Sequence, residues 1–126
     1  MRKVTRQAMC ALNVEQSFNS KNTRVSGDTL YLFGNPIIRI VRNTRGYIEE
    51  YRLSMCGHGT NTTRDRLNGF SRYYWINRGP SFFQNKGRQY ISEKTDTGFS
   101  AALEIDPSDV IVLDSGGKIV EIERHS

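Results

Sequence analysis

The chain has 126 residues, the size of one domain, and its 6 Tyr, 6 Phe and 1 Trp exclude a disordered polymer. Its net charge of +5 is unevenly spread: residues 1–94 hold 16 Lys/Arg against 6 Asp/Glu, and residues 95–126 hold 2 against 7. No apolar run nears the roughly 18 residues of a membrane span, and no continuous apolar stretch follows the basic start at Arg2 and Lys3, so neither a span nor a signal peptide is expected.

In chain order, Val4, Ala8, Ala11, Leu12 and Phe18 recur at helical spacing and predict an amphipathic helix over 3–17, with Cys10 in the core. Asn19-Ser20 and Asn22-Thr23 break it. Strands follow at 29–33, 37–42 and 47–55, separated by the turn signals Gly34-Asn35-Pro36 and Asn43-Thr44-Arg45-Gly46. Such short connections favour an antiparallel meander. Cys56-Gly57-His58-Gly59 reads as a flexible junction. Residues 62–69 predict a short helix, capped by Thr62 with Asp65 and stopped by Asn68-Gly69. A strand is predicted over 72–77. A hairpin joins 81–84 to 88–92 around Asn85-Lys86-Gly87, and residues 93–100 read as a loop. The run 102–105 fits either type, residues 106–109 read as a turn, and a last hairpin joins 110–113 to 118–122. The expected fold is a single α+β domain: an N-terminal helix on an antiparallel meander sheet, a short second helix, then C-terminal β-hairpins.

Few residues suggest chemistry. Cys56 and His58 are neighbouring soft ligands, but a structural zinc site wants four, and the other candidates, Cys10 and His125, fall in unrelated places. A catalytic Cys/His pair usually meets from separate parts of a fold, so a junction thiol and a surface imidazole are the plainer reading. Two cysteines without an export signal read as free and reduced. No Gly-Lys-Ser/Thr phosphate loop is present, and Glu49 and Glu50, adjacent on a strand, point to opposite faces. No cofactor and no metal is expected, and the chain is not expected to be an enzyme.

The densest patch runs from Arg64 and Arg66 to Arg72, Tyr73, Tyr74, Trp75 and Arg78. Arginine forks hold phosphates or carboxylates, and aromatic faces stack on bases. On a strand only half of this set would face a ligand; the alternative is that the rings pack and the arginines solvate the rim. Arg64, Arg66, Arg72, Tyr74 and Arg78 are the candidate contacts for a protein or nucleic-acid partner. Arg64 and Arg66 stand out because helix formation does not require them.

The segment Asn61-Thr62-Thr63-Arg64-Asp65-Arg66-Leu67-Asn68-Gly69-Phe70 resembles Asn-Thr-Thr-Arg-x-Arg-Leu-Asn-Gly-Leu, which recurs in small bacteriophage proteins. The Met-Arg-Lys-Val-Thr opening, Asn22-Thr23-Arg24, Gly34-Asn35 and Gln84-Asn85-Lys86-Gly87 are similar to them as well. The resemblance spans scattered pieces of residues 1–92. It implies a viral origin and carries over no functional residue. With it comes the expectation of an accessory protein in the host cytoplasm that binds, and inhibits or modulates, a host protein. The alternative is a nucleic-acid binder using the basic, Arg-rich surface, provided the acidic segment 95–126 does not fold over it. A third reading, an enzyme, rests on Cys56 and His58 alone.

Overall fold

The computed structural model describes residues 2–76 and 78–124. Asn77, at the end of a predicted strand, and His125, weighed as a metal ligand, lie outside the described residues. The elements are α1 (Lys3–Asn13), β1 (Phe18–Ser20), β2 (Thr23–Ser26), β3 (Thr29–Leu32), β4 (Asn35–Arg42), β5 (Ile48–Ser54) and α2 (Asn61–Tyr74). Then come β6 (Gly79–Asn85), β7 (Arg88–Thr95), β8 (Gly98–Phe99), β9 (Leu103–Ile105), β10 (Val110–Asp114) and β11 (Ile119–Glu123). The α+β architecture is as expected, with sheet dominating. Among the described residues no helix is long and apolar enough to cross a membrane.

Strands β1 to β5 form the meander, every pair antiparallel, and β10 and β11 then join the free side of β5. Apolar side chains cross this seven-stranded sheet in one register row: Val25, Leu30, Ile38, Leu53, Ile111 and Ile122. Because side chains alternate along a strand, this row fixes an apolar inner face and leaves a polar outer one. The helices lie on the inner face. A second antiparallel sheet forms around β7, which pairs with β6 on one side and with β8 and β9 on the other. Its β6–β7 turn places Lys86 at φ 52° and Gly87 at φ 79°, the left-handed pair that tight hairpins need.

Six local expectations are corrected. Helix α1 ends at Asn13, because Glu15 turns into left-handed backbone at φ 58°. Its buried side is built on Thr5, Ala8, Met9 and Leu12, and position 10 falls opposite them, so Cys10 is exposed and not core. The polar breakers after α1 form strands: Thr23 and Val25 point in while Arg24 and Ser26 point out. Helix α2 runs 14 residues through Tyr74, replacing the strand predicted from Arg72. Leu67, Phe70 and Tyr74, spaced by three and four, put their side chains on one side of that helix. The cap is Thr60, whose Oγ1 accepts the Thr63 N–H at 3.2 Å. Finally, the predicted loop at 93–100 contains the end of β7 and all of β8.

The acidic C-terminal segment does fold against the basic body. Strand β10 pairs along β5, Glu123 bonds Arg52, and Glu104 reaches Arg88 at 3.3 Å. Asp109 holds Arg124 at 3.0 Å within the segment itself.

Candidate functional site

The five candidate residues separate once α2 is a helix. Arg66 is 2% exposed and lies inside the protein. Its Nε donates to Thr23 Oγ1 at 3.1 Å, and its Nη1 donates to Thr5 Oγ1 and Asp65 Oδ2, both at 2.8 Å. Thr5 Oγ1 in turn donates to Asp65 at 2.6 Å. This network joins α1, β2 and α2, and burial pulls the Arg66 pKa down against the pull of Asp65. Arg66 is therefore a structural clasp, and its expected role in partner contact is corrected.

Arg64 is half-buried and engaged. Its Nη1 donates to Gly59 O at 3.1 Å, Gln84 Oε1 at 3.1 Å and Gln89 Oε1 at 2.8 Å, and its Nη2 bonds Asn61. It ties the start of α2 to the β6–β7 hairpin. Tyr74 points into a ring cluster with Tyr51, Phe70 and Trp75, at centroid distances of 5.9, 4.5 and 5.9 Å. Its hydroxyl is buried with no partner among the described residues. Burial raises its pKa, and the neighbouring Tyr51 and Tyr73 add to the rise.

Arg72 and Arg78 remain at the surface, and they come together. Both line a cleft of about 160 Å³ at the C-terminal end of α2, with Trp75, Ile76, Lys94 and Phe99. A second hollow of about 280 Å³ continues from Arg78 and Lys94 to Lys118 and the Gly116-Gly117 turn. Ile76 is 79% exposed and Phe99 63%. Among the described residues Arg72, Arg78, Lys94 and Lys118 make no ion pair. The cleft thus holds two exposed apolar side chains beside three cations, and the adjoining hollow adds Lys118 together with the carboxylates Glu93 and Asp96.

The cleft's geometry depends on Trp75. A Cβ at Gly117 would stand 2.7 Å from the indole, and one at Gly79 3.2 Å from it. The ring is wedged between the start of β6 and the β10–β11 turn, so only glycine fits beside it. Trp75 also meets Tyr51 edge-on at 5.1 Å. Lys94, Ile76, Phe99 and Lys118 were missed in the sequence. The one signal was Phe99, a lone ring in a polar run.

Cys56 and His58 sit in different surroundings. The Cys56 thiol turns to Pro36 O at 3.4 Å, and burial pushes its pKa up, which favours the poorly nucleophilic thiol. His58 lines a separate apolar hollow of about 280 Å³ with Leu32, Phe33, Ile37, Met55 and Thr63.

No curated protein and no solved structure matches the chain. The family model described as Kyanoviridae Gp96 protein matches residues 1–106.

Proposed function

The chain belongs to the Kyanoviridae Gp96 protein family, a bacteriophage family, and we propose that it works without catalysis, by binding an acidic surface of a host protein in the host cytoplasm. The observation that carries this reading is the cleft at the end of α2. Arg72, Arg78 and Lys94 line it together with exposed Ile76 and Phe99, and Lys118 lines the adjoining hollow. Exposed apolar side chains beside arginines are a residue mix of protein interfaces, where arginine and aromatic residues dominate the energetic centres. Binding there would block or redirect the host protein.

The same geometry counts against direct nucleic-acid binding. Tyr73, Tyr74 and Trp75 spend their rings on one another and on Tyr51 and Phe70, so they are not free to stack on bases. The nucleic-acid reading would rest on the excess of 16 Lys/Arg over 6 Asp/Glu in residues 1–94, which the acidic segment offsets in part by pairing Glu123 with Arg52 and Glu104 with Arg88.

Affinity capture from nuclease-treated host lysate separates the two. The expected result is one host protein retained at a fixed ratio by the wild type and lost from Arg72→Glu/Arg78→Glu. Both positions are exposed, so the fold should survive the change. Retention by both proteins would remove the cleft as the site. Capture that disappears on nuclease treatment, with a gel shift that strengthens as salt falls, would replace the reading with nucleic-acid binding.

A further inference from the structure

We propose that the outer face of the seven-stranded sheet pairs with the same face of a second copy of this chain. One register row crosses that face: Thr29 on β3, Arg39 on β4, Arg52 on β5, Val112 on β10 and Glu121 on β11. Arg39 stands directly opposite Arg52, a like-charge pair that destabilises a sheet. Arg52 is neutralised by Glu50 at 2.8 Å and by Glu123. Arg39 is exposed and makes no ion pair among the described residues; Glu121 at the other end is in the same position.

The row is therefore antisymmetric. An unpaired cation and an unpaired anion stand three strands apart, with a neutralised arginine and a buried valine between them. Consider a twofold axis between two facing sheets, parallel to the strands and above the gap between β5 and β10. It places each Arg39 against the Glu121 of the other copy; it also sets Glu50, already held by Arg52, against the other copy's Asp114, whose carboxylate is engaged by the Gly116 and Lys118 N–H groups. Such an isologous contact needs no second surface. Packed sheets lie about 10 Å apart, a gap that an arginine and a glutamate span together.

Nucleic acid fits this face less well. Tyr31, an aromatic ring beside the row, already carries the Arg24 guanidinium at 4.2 Å. Four strands of about five residues, about 4.8 Å apart, give a footprint of roughly 300 Å² per copy. That is the weak, transient class of interface, with an attraction that salt screens. The face lies across the sheet from the α2 cleft, so the two surfaces can be tested separately.

The test is sedimentation of the whole chain over a wide concentration range, in about 50 mM and about 0.5 M salt. The wild type should dimerise with concentration, more weakly in the higher salt. Arg39→Glu alone and Glu121→Lys alone should each weaken association at least about tenfold, since each sets like charges face to face. An equimolar mixture of the two variants should dimerise again, because both cross-contacts are then opposite in sign. Arg39→Glu places a carboxylate opposite Arg52 within its own chain, so unfolding does not explain a loss; unchanged melting temperatures would confirm that. A wild type that stays monomeric at every concentration and salt overturns the proposal. So does a dimer indifferent to both substitutions, or an Arg39-dependent complex with DNA or RNA and no self-association.

Discussion

Tyr74 ends α2 with a hydroxyl that is buried and unpartnered among the described residues. A hydroxyl without a hydrogen bond in the interior costs about 1–3 kcal/mol. Tyr74→Phe keeps the ring contacts with Tyr51 and Phe70 and removes that cost. The variant should be more stable by about 1 kcal/mol, read as a higher midpoint in urea with an unchanged slope. The pH dependence follows from the raised pKa of Tyr74. Above about pH 10 the unfolded tyrosine loses its proton while the folded one keeps it. The unfolded state then binds fewer protons, so stability falls as pH rises through that range. The fall should be shallower in Tyr74→Phe. An identical slope in both proteins would place the alkaline sensitivity elsewhere, Tyr51 being the next candidate because burial raises its pKa too.

Helix α2 is bonded directly to the edge of a strand. The Asn68 side chain accepts the Phe82 N–H at 2.7 Å and donates to the Phe82 carbonyl at 2.9 Å. Ser71 donates to Pro80 O at 2.7 Å, one step along the same edge. The outer edge of β6 is thus paired by a helix and not left open to another chain. Asn68→Ala strands a donor and an acceptor at once. The loss should be about 2 kcal/mol by denaturant melts, with faster exchange of the Phe82 amide. Here the sequence misleads for a physical reason. Asn68-Gly69 is ordinarily a helix stop, and Tyr73, Tyr74 and Trp75 have strand propensity. Packing against Tyr51 and β6 outweighs both local preferences. The β3–β5 part of the meander was legible from its β-rich runs and short turns, with Leu30, Leu32, Ile38, Ile40, Tyr51 and Leu53 two apart on the buried side; β1 and β2 were not, because their polar residues read as helix breakers. Arg72 and Arg78 were legible as exposed cations. Lys94 and Lys118 were not, because only the tertiary fold carries them from distant elements to the end of α2.

Across the whole molecule, β10 is what finishes the main sheet. It pairs with β5 from Ser54↔Val110 to Glu50↔Asp114 and buries Ile111 and Leu113 beside Leu53 and Tyr51. The match to the phage family ends at residue 106, just before this strand. A chain cut after Asp106 should expose the β5 edge and its apolar row. It should scatter light as soluble aggregates, and a synthetic peptide of residues 107–124 should suppress that scattering. A monomeric, cooperatively melting truncation would show that β10 is dispensable. The pairing also sets a clock on biosynthesis. Fifty-five residues lie between Ser54 and Val110. At roughly 5–20 residues per second, the ribosome leaves β5 without its neighbour for about 3–11 s. In that interval the nascent protein is a half-closed sheet with one adhesive side.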